Sequence, residues 1–298
     1  KSAQLVTIPG YGVRLATVNR VVDTALYNNL LGATSSAAGQ DAIVAALDRL
    51  ERTVGDTELD ASPAALLQKF SDAIQKYAAT PHDTVAAQSA VAAASTLAWS
   101  LNEATALVQG VRAQADADIA SSVDNLNSLL ERFGKLNTEI VKGTRSGADV
   151  TDYEDQRDQI LLQMSEEVGI KTITRANGDM AVYTDSGVTL FDKTARTVSF
   201  QPTLTYGAGT TGNAVYADGV PITGGNATMA VDSGRLSSLV TVRDDLAVTY
   251  QNQLDEIARG LIAAFAESDQ SAVPALPDVP GLFTWSGAPA LPAGATLS

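Results

Sequence analysis

Residues 84–142 read TVAAQSAVAAASTLAWSLNEATALVQGVRAQADADIASSVDNLNSLLERFGKLNTEIVK, a stretch with no proline and with two glycines, Gly110 and Gly134. Its apolar residues recur at steps of three and four, which predicts one face of an α-helix rather than a strand. These residues are Leu97, Leu101, Ala104, Val108, Val111, Ala115, Ile119, Val123, Leu126, Leu130, Phe133, Leu136 and Ile140. At about 1.5 Å per residue such a helix spans roughly 90 Å. A compact enzyme core does not need a helix of this length, whereas components of long assemblies do.

The composition of the chain excludes several classes of function. Its 298 residues carry 34 acidic and 20 basic side chains, a net charge of −14, whereas nucleic-acid binding needs a cationic surface. It has no cysteine, which excludes disulfides, thiolate chemistry and cysteine-bound zinc. No apolar run has the length of a membrane span, and no signal peptide is visible at Lys1. Both ends read like cuts within a longer protein, so we expect that terminal segments are missing.

The first part of the chain is predicted to contain two short strands followed by helices. The strands are expected at residues 4–8 and 13–18, on either side of a turn rich in proline and glycine. Helices are expected at residues 22–31 and 41–54, separated by a flexible Gly/Ala/Ser-rich stretch at residues 32–39.

Capping residues mark the starts of the later helices. The predicted starts are Ser62-Pro63, Thr80-Pro81 at the long helix, and a capping box in which Thr151 is the N-cap and Glu154 reaches back. A loop at residues 143–150 is expected to end the long helix, and the helix after it is expected to run to about Val168.

The pattern changes at Gly169 from helix to strands and turns. The dipeptides Asn177-Gly178 and Ser186-Gly187 are typical of tight turns between strands. Strands are predicted at residues 170–175, 180–184, 188–191, 197–200, 214–216 and 228–231. The helical period returns at Gly234, so we interpret the β segment as an insertion between helices of one bundle.

These patterns predict an α+β fold, an elongated and mainly antiparallel helical bundle with an inserted small β domain. The predicted parts are the first part of the helical bundle domain at 1–168, the inserted β domain at 169–233, the returning helix at 234–270, and a Pro/Gly-rich segment at 271–298 that is a loop or the start of a further domain.

Two short motifs flank the predicted β segment. The first consists of Asp155, Gln156, Arg157 and Asp158, and the second of Gly234, Arg235 and Leu236, followed by Arg243 and Asp244. Both resemble the flagellar hook-associated protein 1 family, in which a Leu-Leu-Asp-Gln-Arg-Asp signature opens a helix before the β domain. Tyr153 and Glu154 stand where that signature has its leucines. Weaker similarities to the family lie in the correct order at residues 18–23, 81–102, 125–127, 136–140 and 281–283.

The resemblance implies a structural role in the bacterial flagellum, at the junction between hook and filament. It implies a ring of copies without catalysis, metal or cofactor, placed between the hook protein and the next hook-associated protein. It also implies export through the flagellar type III system to an extracellular location, and an export chaperone that binds the C-terminal segment we expect to be missing. Without its pairing terminal helices, we expect the chain to be monomeric.

The residues themselves leave other interpretations open. Asp155, Arg157 and Asp158 have the residue types of a carboxylate pair with an arginine clamp, but their spacing also fits an ordinary charged helix face. Under the family interpretation, Arg157 and Arg243 brace the junction between the helices and the β domain. The single histidine, His82, has no nucleophile or metal partner at a suitable spacing, and the glycine-rich stretches lack the strand and helix that flank a phosphate loop.

Three rival functions follow from the same sequence. A flagellin or another axial flagellar protein also combines long helices with an inserted outer domain. An extracellular carbohydrate- or surface-binding module would need a concave aromatic cluster, and the β segment offers only Tyr183, Tyr206 and Tyr216. An enzyme is the third rival, and no motif in the sequence favours it.

Overall fold

Helices make up most of the chain in the computed structural model, which describes residues 2–8, 11–19, 23–51, 62–207 and 209–265. The helices are α1 (Thr24–Leu50), α2 (Pro63–Ala79), α3 (Thr84–Ser146), α4 (Thr151–Glu167), α5 (Arg235–Thr241) and α6 (Ala247–Phe265), with a π-helical segment at Val242–Leu246 between the last two. None of the helices in the described part of the chain has the length and apolarity that a membrane span requires.

The strands form three antiparallel sheets. They are β1 (Ser2–Ile8), β2 (Tyr11–Asn19), β3 (Ile170–Thr174), β4 (Met180–Thr184), β5 (Thr189–Asp192), β6 (Thr194–Ala195), β7 (Val198–Ser199), β8 (Tyr216–Ala217) and β9 (Val220–Pro221). The sheet orders are β1-β2, β3-β4-β5-β6 and β7-β8-β9, so every pair joins strands that are consecutive in the sequence. The connections between successive strands from β3 to β6 and between β8 and β9 are short, as in hairpins, whereas β7 and β8 lie farther apart in the sequence.

The chain divides into two compact units. Unit 1 contains Lys1–Ile43, Ala117–Pro202 and Gly212–Val240, and unit 2 contains Val44–Asp116, Thr203–Thr211 and Thr241–Ser298. The sheets β3-β6 and β7-β9 belong to unit 1 together with α4, whereas α2 and α6 belong to unit 2.

The apolar stripe that the sequence predicts along α3 is confirmed. All of its predicted members except the half-buried Leu136 are buried, and Leu97, Val108, Ile119, Leu126, Leu130, Phe133 and Ile140 are fully inaccessible to solvent. In unit 1, Phe133 meets Phe191 of β5 edge to face, with ring centroids 4.9 Å apart. The stripe therefore faces the core, and the inserted sheet packs on its second half.

The predicted flexible stretch at residues 32–39 is wrong, because α1 continues through it. Ser35 is buried and donates a hydrogen bond to the hydroxyl of Ser233 at 2.9 Å. A Cβ atom on Gly39 would lie 2.5 Å from Oγ of Ser238 and 3.1 Å from the carbonyl oxygen of Gly234. These small residues therefore let a helix pack closely against its neighbour, which offsets their weak helix propensity.

The start predicted at Ser62-Pro63 is confirmed, whereas the start predicted at Thr80-Pro81 is wrong. The Ser62 hydroxyl accepts a hydrogen bond from the backbone N–H of Ala65 at 3.3 Å. Helix α3 instead begins after Asp83, whose carboxylate accepts from the backbone N–H of Val85 at 2.8 Å. An aspartate satisfies the unpaired N–H groups of a first turn and also favours the positive end of the helix dipole. The turn at residues 81–82 separates the two helices.

The loop predicted at residues 143–150 begins later, because α3 ends at Ser146. Gly147 has φ +69°, and the N–H of Ala148 donates to the carbonyl of Gly143 at 3.0 Å, the pattern of a Schellman cap. The predicted N-cap of α4 is also wrong. The cap position is Val150, and the Asp149 carboxylate accepts from the N–H of Thr151 at 3.0 Å.

The hairpin turns at residues 177–178 and 186–187 are confirmed, with φ +80° at Gly178 and φ +100° at Gly187. The strand predicted at residues 228–231 is wrong, because residues 228–229 form a turn and residues 230–231 have no regular structure. The short strands β6 and β9 and the π-helical segment were not predicted. An α+β fold with helices around a small inserted β region is confirmed, while the four-part domain division remains a prediction and its segment 271–298 lies outside the described residues.

Candidate functional site

The second sequence motif centres on Arg243, which is completely buried in unit 2. Its Nη1 donates to Oδ1 of Asp116 at 2.7 Å, and its Nη2 and Nε donate to the carboxylate of Asp244 at 2.7 and 3.1 Å. Arg243 has 0% exposed side-chain surface and Asp116 has 3%, so this ion pair is fully withdrawn from water. Arg243 lies in the π-helical segment, and such turns are retained mostly where a side chain has a special role.

A second arginine, Arg112 of α3, binds a segment that we call the strap, residues 203–207 and 209–211. Its Nη1 donates to the carbonyl of Gly207 at 3.3 Å and its Nη2 donates to the carbonyl of Thr210. Its Nε donates to the backbone carbonyl of Arg243 at 2.9 Å. The guanidinium also lies over the ring of Tyr206, 4.5 Å from its centroid, a cation–π contact.

Asp116 joins the strap to the buried arginine. Besides Arg243, it accepts the hydroxyl of Tyr206 at 2.6 Å and the backbone N–H of Thr203 at 2.7 Å. Three donors from two separate stretches of chain, the strap and the π-helical segment, therefore converge on one carboxylate. A buried charge is stable in a protein only when it is paired and hydrogen-bonded in this way.

Three groups of the cluster have pKa values shifted from their ordinary range. Burial and the hydrogen bond to Asp116 raise the pKa of Tyr206 to about 12, so its hydroxyl stays a donor. Burial lowers the pKa of Arg112, although the charge of Asp244 opposes this shift. Burial also disfavours the charge of Arg243, but its bonds to Asp244 and Asp116 outweigh that cost and raise its pKa. The cluster thus consists of mutually neutralised groups.

The first motif places Arg157 in unit 1, where it connects α4 to the β3–β4 hairpin. Its Nη1 donates to the carbonyl of Gly178 at 2.8 Å and to Oδ1 of Asn137 at 3.2 Å. Asn137 of α3 also accepts from the backbone N–H of Met180 at 3.0 Å and donates to Asp179 at 2.7 Å. Two helices and one hairpin therefore share a single buried polar network.

The network continues to the surface of the sheet through Asp179. Arg175 forms ion pairs with Asp179 and, at 2.8 Å, with Asp192 of β5. Burial opposes ionisation of Asp179, but hydrogen bonds from Asn137 and Arg175 prevail and lower its pKa. The hairpin turn is thereby fixed on both of its sides.

The other members of the first motif do not share the position of Arg157. Gln156 is exposed, whereas Asp155 and Asp158 are half-buried. The backbone carbonyl of Asp158 accepts the hydroxyl of Tyr27 from α1 at 2.8 Å. Only the arginine of this motif occupies the core, which favours the interpretation as a structural motif.

Gly234 occupies the return from the β region to α5 in unit 1. It has φ +98°, and a Cβ atom there would lie 2.6 Å from Cα of Val168 and 2.8 Å from the carbonyl oxygen of Glu167. Its neighbour Arg235 is exposed and Leu236 is buried. Only glycine combines this backbone conformation with such a close approach of two chains.

Several buried polar residues of these sites were not predicted from the sequence. Arg112, Asp116 and Asn137 are polar residues next to stripe positions of α3, and this placement is the only signal that the sequence offers for them. Glu167 is a further case, since Asn125 donates to it at 2.7 Å and Ser122 donates to its other carboxylate oxygen. Such buried polar residues need partners, and sequence spacing does not reveal partners that lie far along the chain.

Catalytic and metal-binding chemistry finds little support in the described residues. No group of three or more His, Cys, Asp and Glu side chains there could hold a metal ion. His82 is exposed in the turn before α3. The glycine-rich stretch of residues 207–212 belongs largely to the strap and opens no helix, so it lacks the geometry of a phosphate loop.

Comparison with known proteins decides the family. A family model described as "Flagellar hook-associated protein FlgK helical domain" matches residues 47–276, which is most of the chain. The chain belongs to the FlgK family. It is 24% identical to flagellar hook-associated protein 1 of Escherichia coli over 288 residues, and 25% identical to that of Salmonella typhimurium over 262 residues. These alignments cover 95% and 86% of this chain but 51% and 46% of the two relatives, so the chain spans about half of their length.

A solved structure supports the fold of this FlgK family member. The flagellar hook junction protein FlgK from Burkholderia pseudomallei superposes with a TM-score of 0.65, at 19% sequence identity. The match covers 80% of this chain and 42% of that protein. The resemblance that the two motifs indicated is therefore confirmed at the level of family and fold.

Proposed function

We propose that this chain is part of a structural component of the bacterial flagellum that joins the hook to the filament. The observation that carries the proposal is the match of most of the chain to the FlgK helical domain. The named relatives are flagellar hook-associated proteins, and the similar solved structure is that of a hook junction protein. We extend that role from the relatives to this chain.

The buried arginine sites support a structural role. An active site exposes a group that can accept or donate a proton, or attack a substrate, at the working pH. Arg243 and Asp116 are instead fully buried, and each charge is already matched by its neighbours. We infer that Arg157 and Arg243 stiffen the helical frame, Arg157 by holding the hairpin and Arg243 by fixing Asp116, which binds the strap, and that the protein has no catalytic activity.

The proposal includes partners and a place outside the cell. The hook protein would contact one side of the junction and the next hook-associated protein the other, with copies of the full-length protein side by side in a ring. Passage through the flagellar type III export system, assisted by a chaperone, would deliver the protein there. The extracellular binding module has weak support in the described residues. Tyr206 turns inward to Asp116, and of the three tyrosines of the β segment Tyr216 is the exposed one, which does not make an aromatic cluster.

Immunogold labelling of isolated flagella tests the proposal. An antibody against this chain should label a single narrow zone where the hook meets the filament. Label along the whole filament would favour the flagellin alternative, and absence of label from flagella of a strain that expresses the protein would overturn the proposal. An antibody against flagellin on the same grids provides the matched control, because it labels only the filament.

A further inference from the structure

The first half of α3, residues 84–111, exposes a face that is almost free of charge. The only charged side chain in this stretch is Glu103, although charged residues make up 18% of the whole sequence. The second half of the helix is ordinarily charged: it carries Asp118, Asp124, Glu131, Arg132, Lys135, Glu139, Lys142 and Arg145. Both halves bury the same apolar stripe, so the contrast lies in the exposed side of the helix.

Large apolar side chains stand on this uncharged face. Val85 is 67% exposed, Val91 is 52% exposed and Trp99 is 65% exposed. At 3.6 residues per turn the three fall within about a third of the helix circumference. Most other residues on that side are small or neutral, namely Gln88, Ala92, Ser95, Asn102 and Ala106, and all of these are exposed. The single charged side chain, Glu103, is exposed on the same side, one turn after Trp99.

This combination is typical of a surface that another protein covers. A single exposed apolar residue is ordinary, but interfaces lose charged residues at their centre and gain tryptophan, which often contributes most of the binding energy. The second half of the same helix carries exposed charged residues, so the absence of charged residues from the first half is not a requirement of helix formation. We call the exposed side of residues 84–111, centred on Trp99, the neutral face.

We propose that the neutral face contacts a second copy of this chain, side by side in the assembly; this inference rests on the proposed function and deepens it. The net charge of −14 makes copies of the chain repel one another wherever acidic side chains dominate the surface. The neutral face is a part of unit 2 that a second copy can approach with little of that repulsion, since Glu103 is its one charged residue. Its small residues also allow a neighbouring backbone to come close.

The size of the face indicates how strong the contact is. A stretch of 28 residues is about 40 Å long and presents a strip about 10 Å wide, or roughly 400 Å² per copy. Stable complexes bury about 800 Å² per partner, so this contact alone does not hold a dimer in dilute solution. It fits an array in which each copy is held by several neighbours at once, where the effective concentration is high.

Photo-crosslinking from a single cysteine tests the inference, because the natural sequence contains no cysteine. Ser95→Cys places the probe on the neutral face, and Ser121→Cys places it on the charged half of the same helix. The two serines are well matched, since both are exposed and both donate to the carbonyl four residues earlier, at 3.0 and 3.1 Å. Each variant is labelled with benzophenone maleimide and irradiated at high protein concentration and after serial dilution.

We expect chain-to-chain adducts from the probe at position 95 that disappear on dilution, and none above background from position 121. Adding Trp99→Asp to Ser95→Cys should reduce the adduct at least about tenfold, as expected for a central tryptophan. It should leave the melting temperature within about 2 °C, because Trp99 is mostly exposed. Asn102→Asp serves as a milder second variant if the tryptophan variant does not fold.

Three results would overturn the inference. Equal adducts from both probes would indicate random collision, and adducts that persist in the Trp99→Asp variant would indicate a contact elsewhere. Adducts within one chain would indicate that the chain itself covers the face. The immunogold experiment is independent of the crosslinking. Label at the junction with failed crosslinking would contradict only the inference about the neutral face. Specific crosslinking with label elsewhere would contradict only the junction role.

Discussion

Replacing Arg243 by methionine tests whether the buried ion pair stiffens unit 2. Methionine fills a similar length without charge, so the carboxylates of Asp116 and Asp244 lose their direct partner. Breaking a buried pair by removing one member costs about 3 to 5 kcal/mol, because the remaining charge stays in a poorly solvated place. At about 2 to 4 °C per kcal/mol, we expect the melting temperature to fall by about 10 °C.

The control is Arg259→Met on α6. Arg259 also forms an ion pair, with Glu256, but both side chains are exposed to solvent. Such surface pairs contribute less than about 1 kcal/mol, so the control should melt within a few degrees of the natural protein. Both variants replace an arginine by methionine in the last helical part of the described chain, so they differ mainly in the burial of that arginine.

Differential scanning calorimetry and circular dichroism provide the measurement. A second variant, Asp116→Asn in the Arg243→Met background, should recover part of the lost stability because it removes the charge that the first substitution leaves unpaired. If Arg243→Met costs no more than Arg259→Met, the buried pair does not stabilise unit 2 and the reasoning fails.

Three further predictions concern the other sites. Gly234→Ala should cost at least about 2 kcal/mol in urea unfolding, because of φ +98° and the approach of Val168, whereas Gly110→Ala, with nothing within 4 Å of the new Cβ, should be neutral or slightly stabilising; equal effects would contradict this account. Arg157→Met should cost about 2 kcal/mol, since the carbonyl of Gly178 loses its donor, and the exposed Lys135→Met should cost far less. Asp255 is 7% exposed, and its burial raises its pKa to about 6, although a bond from Gln251 opposes the shift. The folded state therefore binds this proton more tightly than the unfolded chain, so stability should fall by about 2 to 3 kcal/mol as pH rises from about 4 to above 6, and Asp255→Asn should abolish that fall.

The sequence predicted those features of the fold that local periodicity and turn chemistry determine. The stripe of α3 follows from spacing alone, and Asn177-Gly178 fixes a hairpin because asparagine and glycine tolerate the required dihedral angles. The cap at Ser62 is equally local. Each of these features depends on residues within about one helical turn or one hairpin of each other.

The wrong predictions concern positions where distant contacts prevail over local preference. Residues 32–39 contain two glycines, two serines and a threonine, which are weak helix formers, yet α1 continues through them. Gly39 is needed there for the close approach to Gly234. Thr80 and Asp83 are both suitable N-cap residues and lie in one short segment, and α3 is capped by Asp83. Residues 228–231 have strand-like spacing, but the N–H of Val231 makes one hydrogen bond, to the carbonyl of Ile222 after β9, and no ladder is formed there.

The candidate sites were only half predictable. Arg157 and Arg243 were found through the family resemblance, and both are buried as core members. Their partners were not found, since Asp116 lies 127 positions from Arg243 and Asn137 lies 20 positions from Arg157. Neither the strap nor the π-helical segment has the periodicity or turn residues by which the sequence would reveal it.

Deletion of the full-length gene in its host tests the junction role most directly. Electron microscopy of the cells and an immunoblot of the culture medium are the two measurements. We predict hooks without filaments, together with flagellin monomers released into the medium, and restoration of both by the gene in trans. Normal filaments and normal swimming, in a strain without a second copy of the gene, would contradict the account.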